Sequence, residues 1–334
     1  MPTISIVDSD VTFECSHDDT LLAAGLRAGV GLPYECNAGG CGSCKIRVHE
    51  GETRTLWEGS PVWTEADRRR GRVLGCQTVP VTDCTIAVRE VAANRPLLRP
   101  QRRTGILQSV TKLTHDMGEF VFATEGSAAF LPGQYAALVL PTGCRRIYSM
   151  SNLANELGHW HFIIRAVAGG TASAQLFSSD ALGQQFVLDG PFGLAHLRDT
   201  GRDIVCVAGG SGLAPILSII RGALSDPHFI NRRIILLYGA RAVRDLVSDR
   251  TFTALPGFDQ RVTYNAILSD PAPDDAWTGR RGLVHETLSD AVGGQWSEHE
   301  YYFAGPTKMT EAVYRTLTEH AHVPPEQLHF DRFY

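Results

Sequence analysis

Four cysteines have a spacing that suits an iron–sulfur cluster. Cys36, Cys41 and Cys44 follow the spacing Cys-x4-Cys-x2-Cys, and Cys76 lies much later in the chain. Two irons need four thiolates that converge on one small volume, and this spacing is one that binds a 2Fe–2S cluster. Glycines between the first three cysteines let the backbone pass close to the sulfurs. The sequence therefore predicts a one-electron carrier with these four cysteines as metal ligands.

Chance clustering and a zinc site also stay open as origins of this spacing. Zinc sites usually show two Cys-x2-Cys pairs or pairs of Cys and His, whereas here only Cys41 and Cys44 form such a pair. The remaining cysteines have no comparable neighbours, and we expect small buried apolar residues at these positions. They are Cys15, Cys84, Cys144 and Cys206.

The composition fits a soluble globular protein with room for two or three domains. The chain has 334 residues, of which 43% are hydrophobic and 20% are charged, as in ordinary globular proteins. No run approaches the roughly 20 apolar residues that span a bilayer, and the first residues lack the order of a secretory signal. Thiolates that hold iron suit a reducing compartment. We therefore expect a cytoplasmic protein.

The net charge of −5 is unevenly distributed along the chain. Residues 1–91 contain 9 Lys/Arg and 13 Asp/Glu, and the rest of the chain is nearly neutral. Nothing in this distribution favours nucleic acid as a ligand. An acidic first domain would steer a basic redox partner, and a merely solvated surface accounts for the charge equally well. The basic run at 68–72 is expected at a solvated helix end or loop.

Changes in sequence pattern predict three domains. Residues 1–91 combine short alternating strands with one short helix and indicate a small α+β unit. Residues 92–103 contain two prolines and four arginines without periodicity, which is typical of a linker. Residues 104–198 contain short strands separated by turns and favour an antiparallel β-barrel. In residues 199–334 strands alternate with helices, which predicts a doubly wound α/β domain with a parallel sheet.

Several short motifs follow in the second and third of these domains. The second contains Arg146-Ile147-Tyr148-Ser149, preceded by Pro-Gly-Gln-Tyr at 132–135 and followed by segments at 169–176 and 190–193. The third contains a glycine-rich turn at 208–215, between a predicted strand and a predicted helix. Such glycines permit a tight turn and a close approach of the backbone to a pyrophosphate.

Together and in this order, these motifs resemble the reductase components of bacterial multicomponent oxygenases, which belong to the ferredoxin–NADP reductase superfamily. The likeness covers essentially the whole chain and includes reductases of diiron monooxygenases and Rieske dioxygenases. It implies a plant-type 2Fe–2S ferredoxin domain of β-grasp fold, an FAD-binding antiparallel β-barrel domain and an NAD-binding domain. FAD rather than FMN follows from this resemblance alone.

The resemblance also implies roles for residues at the flavin. Arg146 would neutralise the flavin pyrophosphate with its planar, charged fork. Tyr148 would pack on the isoalloxazine ring, and Ser149 would hydrogen-bond near the atom that receives hydride, so these two are the expected catalytic residues. Either Phe333 or Tyr334 would cover the flavin. Phosphate would be bound at a helix N-terminus by Gly170, Thr171, Ala172 and Ser173.

Three segments are expected to bind the nicotinamide dinucleotide. The pyrophosphate would approach the glycine-rich turn, and the adenosine ribose would lie at the end of the second strand of the last domain. Asp245 would suit the ribose hydroxyls of NADH, while Arg241 and Arg244 leave NADPH open. Relatives often have Cys-Gly-Pro after the last strand, whereas this chain has Ala304, which removes any thiol there. The expected NAD-binding residues are Gly209, Gly210, Gly212, Tyr238, Arg241, Asp245, Gly305, Pro306 and Met309.

The resemblance implies an NADH-dependent reductase that passes electrons through FAD and the 2Fe–2S cluster to a terminal oxygenase or a separate ferredoxin. It would support oxygenation of an aromatic or other small organic substrate, as a monomer. Two alternatives stay open: a reductase partner in deoxysugar biosynthesis, and a redox sensor that holds flavin and cluster without rapid turnover. The presence of both nicotinamide loops argues against the sensor.

Overall fold

The computed structural model describes residues 1–333 and divides them into two compact units. The first unit contains residues 1–102 together with the short segment 189–194. The second contains residues 103–188 and 195–333.

The first unit contains a small α+β fold. Its strands and helices are β1 (Thr3–Ile6), β2 (Thr12–Glu14), α1 (Leu21–Arg27), β3 (Lys45–Glu50), β4 (Thr53–Thr55), α2 (Glu65–Arg69), β5 (Arg72–Leu74), β6 (Thr78–Pro80) and β7 (Cys84–Ala87). Five strands form one sheet in the order β2-β1-β7-β3-β5, and β4 pairs with β6. The central β1 and β7 run parallel, and β2 and β3 pair antiparallel with them. This arrangement confirms the predicted ferredoxin-like fold.

Local sequence explains both helices of this fold. The Thr20 side chain accepts a hydrogen bond from the Ala23 amide and caps α1, whose apolar residues are buried. A capping box between Thr64 and Asp67 starts α2. The basic run begins in the last turn of α2 and is exposed, which suits the negative end of the helix dipole and confirms the predicted helix end.

The flavin-domain sequence forms a six-stranded antiparallel sheet that curls toward a barrel. Its elements are β8 (Gln101–Lys112), β9 (Met117–Thr124), β10 (Tyr135–Val139), β11 (Arg145–Ser149), β12 (His159–Arg165), α3 (Thr171–Leu176) and β13 (Gln185–Phe192). The order is β11-β10-β13-β8-β9-β12. A bridge between Met150 and Phe162 joins the end of β11 to β12, so the two edges of the sheet meet. The barrel prediction is confirmed.

The expected linker is partly structured. A short 3-10 turn covers Ala92–Asn94, and β8 already begins at Gln101. The start of β8 depends on its pairing with β9, and composition alone does not reveal that pairing.

The remaining residues form a parallel α/β sheet. Its elements are β14 (Asp203–Gly209), α4 (Leu213–Ser225), β15 (Ile234–Ala240), α5 (Arg250–Thr253), α6 (Phe258–Arg261), β16 (Val262–Leu268), β17 (Arg280–Arg281), α7 (Leu288–Val292), β18 (His299–Pro306), α8 (Thr307–Arg315) and β19 (Leu328–Phe333). The order is β17-β16-β15-β14-β18-β19, with parallel pairing throughout. The direction of connection reverses between β15 and β18, on either side of β14, which is where doubly wound folds bind nucleotides.

Strand β14 is buried on both faces. Ile204, Cys206 and Ala208 belong to one hydrophobic cluster, and Val205 and Val207 belong to another. This period of two is expected when helices cover both faces of a sheet.

Three of the four cysteines outside the expected ligand set are buried as predicted, namely Cys15, Cys84 and Cys206. Cys144 differs because it lies in the turn before β11 and is only half-buried. All four are free of disulfides.

Among residues 1–333, no helix combines the length and the apolar character needed to cross a membrane.

Candidate functional site

The four expected ligand cysteines converge in two contacting pairs. The Sγ atoms of Cys44 and Cys76 lie 3.3 Å apart, although 32 positions separate these residues in the chain. This contact lowers the pKa of Cys44 and raises that of Cys76. A hydrogen bond between the thiols of Cys36 and Cys41 likewise raises the pKa of Cys36 and lowers that of Cys41 to about 5. The sulfurs of each pair are close together, and metal ions that bind them would displace the thiol protons.

The loop between α1 and β3 presents hydrogen-bond donors to these sulfurs. The Ala38 amide lies 3.4 Å from the Cys36 Sγ, and the Ser43 amide lies 3.5 Å from the Cys41 Sγ. Donors to ligand sulfurs are what tune an iron–sulfur cluster. Four thiols with backbone amide donors beside them therefore fit the ligand set of an iron–sulfur cluster.

Glycine is required in this loop. Gly39 has φ +83°, and a Cβ there would lie 2.9 Å from both the Trp57 ring and the Gln77 side chain. The Ser60 hydroxyl donates a 2.8 Å hydrogen bond to the Gly39 carbonyl and fixes the turn. A side chain at this position would push the loop away from its support and displace the flanking ligands.

Strand β11 carries the Arg-x-Tyr-Ser motif. Arg146 and Tyr148, two positions apart, lie on the same face of β11, whereas Ser149 lies on the other face. Arg146 is exposed and Ser149 is buried opposite Tyr135 of β10. Burial raises the pKa of Tyr148 to about 12, so its phenol stays protonated at neutral pH. The structure therefore brings Arg146 and Tyr148 together and places Ser149 apart from them.

The expected phosphate turn precedes α3. Gly170 is the N-cap residue, and no side chain caps the helix, so the first amides of α3 have no intrahelical acceptor. The Ser173 hydroxyl accepts a hydrogen bond from the Val167 amide and lies 3.1 Å from the Gly170 carbonyl. Ser173 therefore shapes the turn with its side chain, and Thr171 and Ala172 offer only their backbone to an anion.

The glycine-rich turn between β14 and α4 packs directly on the end of β18. A Cβ at Gly212 would lie 2.1 Å from the Ala304 carbonyl oxygen, and one at Gly209 would lie 2.5 Å from the Met309 sulfur. Gly305 has φ +147° and lies against Gly209. Glycine at these positions lets two strand ends and a helix N-terminus meet closely, which is the packing that a nucleotide-binding turn requires.

Arg165, which the sequence motifs did not indicate, lies beside this turn. A Cβ at Gly210 would lie 3.4 Å from its guanidinium atoms. Its Nε is 3.2 Å from an Asp116 carboxylate oxygen. In the sequence, the one indication of this position was that Arg165 is a basic residue at the end of the apolar strand β12.

Two residues expected at the adenosine are buried. Tyr238 is fully buried in a hydrophobic cluster, and burial raises its pKa to about 12. One carboxylate oxygen of Asp245 accepts a 3.0 Å hydrogen bond from the Ala242 amide, and the other lies 3.8 Å from His115. Asp245 therefore fixes the turn after β15, whereas Arg241 is exposed.

The last expected residues lie near the end of β18. Pro306 is exposed and pairs with Phe333 in the sheet. The Thr307 hydroxyl donates to the Phe333 carbonyl, which fixes the strand end. Tyr334 lies outside the described residues.

Comparison with known proteins agrees with each part of the site. The family of 2Fe-2S iron-sulfur cluster binding domains matches residues 4–81, the oxidoreductase FAD-binding domain matches 104–197 and the oxidoreductase NAD-binding domain matches 206–315. These matches confirm the 2Fe–2S cluster, FAD and NAD as cofactors, so the cysteine spacing is neither a zinc site nor chance clustering.

Full-length relatives and solved structures share all three parts. The chain is 37% identical to the ferredoxin–NAD(+) reductase component of the alkene monooxygenase system of Xanthobacter autotrophicus, over 96% of this chain and 98% of that protein. It is 36% identical to the ferredoxin–NAD(P)(+) reductase CarAd of Metapseudomonas resinovorans, over 96% of each chain. The structure of the ferredoxin reductase in carbazole 1,9a-dioxygenase aligns with a TM-score of 0.92 at 31% identity, covering 100% of this chain and 98% of that one.

Replacing one ligand tests the cluster assignment. Cys41→Ser exchanges a thiolate for a hydroxyl that stays protonated at neutral pH, so we expect loss of most bound iron and of the visible cluster bands. Iron analysis and the absorption spectrum of anaerobically purified protein measure this. Cys144→Ser is the matched control and should keep both signals. Unchanged iron content in Cys41→Ser would show that this thiol is not a ligand.

A methyl group on the glycine-rich turn tests the close packing described above. Gly212→Ala places a Cβ against the Ala304 carbonyl, so we expect about 1–3 kcal/mol of destabilisation and a large loss of NADH affinity. Urea unfolding and NADH titration measure the two effects. Gly59→Ala, in an exposed loop where a Cβ meets only the Trp57 side chain, is the control. Wild-type stability and affinity in Gly212→Ala would contradict the geometry.

Proposed function

The chain belongs to the family of ferredoxin–NAD(P)(+) reductases that have an N-terminal 2Fe–2S domain, and on that premise we propose that it delivers electrons from NADH to an oxygenase component. Delivery is either direct or through a separate ferredoxin, and the oxygenase acts on an aromatic or other small organic substrate. The observation that carries this proposal is that one chain contains four cysteines whose thiols lie close together in pairs, together with the two expected phosphate-binding turns before α3 and α4.

The names of the relatives support the oxygenase as partner. The relatives serve an alkene monooxygenase, a carbazole dioxygenase and, at 30% identity, a xylene/toluene monooxygenase of Pseudomonas putida. All three align with this chain over nearly their full lengths, so the likeness extends to the cluster, flavin and nucleotide parts alike.

FAD, when bound, accepts an electron pair from NADH and releases single electrons, which is chemistry that no side chain supplies. The side chains bind and orient. Exposed Arg146 would hold the flavin pyrophosphate, neutral Tyr148 would pack against the ring without exchanging a proton, and the first amides of α3 would bind phosphate. Buried Ser149 is proposed to hold the strand end next to the ring.

The dinucleotide is proposed to lie along the glycine-rich turn. Its pyrophosphate would meet the half-buried turn residues Gly210 and Ser211 and the Arg165 guanidinium, while Met309 and Gly305 pack against Gly209. Ala304 offers no thiol at the nicotinamide, so positioning alone serves hydride transfer there. We propose NADH as donor, as the name of the alkene monooxygenase relative indicates, and exposed Arg241 and Arg244 leave space for the phosphate of NADPH.

The domain limits proposed from the sequence are 1–91, a linker at 92–103, 104–198 and 199–334. The three family matches lie within these limits and support them. The reduced thiols that a cluster requires support the cytoplasm as location, and we propose a monomer.

Removing Arg165 tests its proposed contact with the pyrophosphate. Arg165→Ala deletes a charged hydrogen-bond donor, so we expect the KM for NADH to rise about tenfold or more with little change in the iron and flavin content. Steady-state reduction of ferricyanide measures this. Asp116→Asn removes the carboxylate partner but keeps the guanidinium, so it should leave KM within about twofold of wild type. An unchanged KM in Arg165→Ala would refute the contact.

The overall proposal predicts that the purified protein is coloured and turns over. It should contain iron, sulfide and flavin, and it should reduce cytochrome c continuously with NADH. Sustained reduction also separates a reductase from a sensor, which would stop after one turnover. Colourless, iron-free protein from anaerobic purification would overturn the proposal. Candidate oxygenase components added to the active protein then identify the partner by substrate-dependent NADH consumption.

A further inference from the structure

The segment Asp189–Leu194 belongs by its contacts to the first compact unit, the one that carries the cluster cysteines. It begins within β13, whose earlier residues lie in the flavin-domain sheet between β10 and β8. Strand β13 is thus continuous from that sheet into the cluster unit. Its end contains the Gly-Pro-Phe-Gly sequence at 190–193.

A half-buried arginine binds the first residue of this segment. The Arg27 guanidinium, at the end of α1, makes two hydrogen bonds to the Asp189 carboxylate, with Nη1–Oδ1 and Nη2–Oδ2 distances of 2.6 and 3.2 Å. It also makes two hydrogen bonds of 2.9 Å to Asp19. Asp189 is 2% exposed and Asp19 is 7% exposed. A paired, forked geometry of this kind fixes orientation as well as distance.

A second arginine completes the network. Arg102 donates to Asp18 at 2.7 Å and to Asp19 at 3.0 Å, and its Nε lies 3.8 Å from Asp189. Two guanidinium groups therefore face the two buried carboxylates, Asp19 and Asp189, whose charges are compensated, whereas Asp18 is exposed.

The far end of the segment is bound by the chain that leads into the cluster loop. The Gly193 amide donates a 3.1 Å hydrogen bond to the Tyr34 hydroxyl oxygen. Tyr34 is buried and lies two positions before Cys36. The segment is therefore held at both ends, by α1 and by the residues next to a cluster ligand.

We infer that Arg27 is a positioning residue for electron transfer within the chain. Its ion pair with Asp189, together with the Tyr34–Gly193 hydrogen bond, keeps the end of β13 fixed to the cluster unit. The inference rests on the proposed function. NADH supplies two electrons and the cluster accepts one at a time, so each NADH requires two successive one-electron transfers to the cluster, and the oxygenase or ferredoxin partner would take up the first electron before the second transfer. Electron transfer slows as the distance between donor and acceptor grows, so looser attachment of this segment would slow the reduction of the cluster.

The choice of variant matters because both acidic partners of Arg27 are buried. Arg27→Ala would leave Arg102 as the remaining cation beside Asp19 and Asp189 and is expected to destabilise the unit. Asp189→Asn has nearly the same shape, and it leaves the Arg27–Asp19 pair in place. Asp203→Asn is the matched control, since it makes the same change in the exposed Asp203–Arg233 ion pair. Arg27→Lys, which keeps the charge but not the fork, is the conservative variant.

The experiment mixes each holoprotein anaerobically with NADH in a stopped-flow instrument and follows flavin and cluster absorbance separately. We expect Asp189→Asn to reduce its flavin at the wild-type rate and its cluster about tenfold more slowly. The rate of cluster reduction in Arg27→Lys should lie between those of wild type and Asp189→Asn. Asp203→Asn should match wild type. Hydrogen–deuterium exchange, which does not depend on turnover, should be faster in peptides covering 189–194 and α1 of Asp189→Asn only.

Three results would overturn the inference. Cluster reduction at the wild-type rate in Asp189→Asn, with faster exchange at 189–194, would show that the contact does not position the transfer. Equal slowing of flavin and cluster reduction would place the effect at hydride transfer. Unchanged exchange would show that the pair does not hold the segment. If wild-type protein itself fails to reduce its cluster with NADH, the proposed function fails, and this outcome is distinct from the other three.

Discussion

The convergence of four thiols on one small volume is the constraint on which the rest of the structure depends. A cluster accepts single electrons, so a protein that takes electrons in pairs from a nicotinamide needs a flavin between the two. Glycine serves the same purpose in each of the two compact units. At Gly39 and at Gly212 a side chain would collide with neighbouring groups, so glycine allows the backbone to approach them closely.

Residues near the site differ in charge and in burial, and these two properties determine which groups each residue can bind. Exposed arginines at Arg146 and Arg241 are accessible to phosphate groups, while the half-buried Arg27 is engaged by carboxylates. Tyr148 and Tyr238 both have a raised pKa because they are buried. Neither is suited to exchange protons at neutral pH, which agrees with a protein whose chemistry belongs to its cofactors.

The sequence predicted well wherever a short motif fixes local geometry. The cysteine spacing, the strand–glycine turn–helix of the nucleotide domain and the helix cap at Thr20 are local and were recognised. Features that depend on tertiary contacts were missed. One oxygen of the Asp245 carboxylate accepts a hydrogen bond from the Ala242 amide, and the sequence gives no sign of this contact because it depends on the folded backbone; the ribose role of Asp245 stays a prediction. Arg165 and Asp189 lie far in sequence from the groups they face, so spacing gives no sign of their roles.

The central claim is that this polypeptide converts electron pairs into single electrons, and an anaerobic titration with NADH tests it most directly. A chain with one FAD and one 2Fe–2S cluster takes up about three electrons, equivalent to about 1.5 molecules of NADH. We expect the flavin bands and the cluster bands to bleach together up to that ratio. Saturation at one NADH per chain with the cluster bands unchanged would contradict the account.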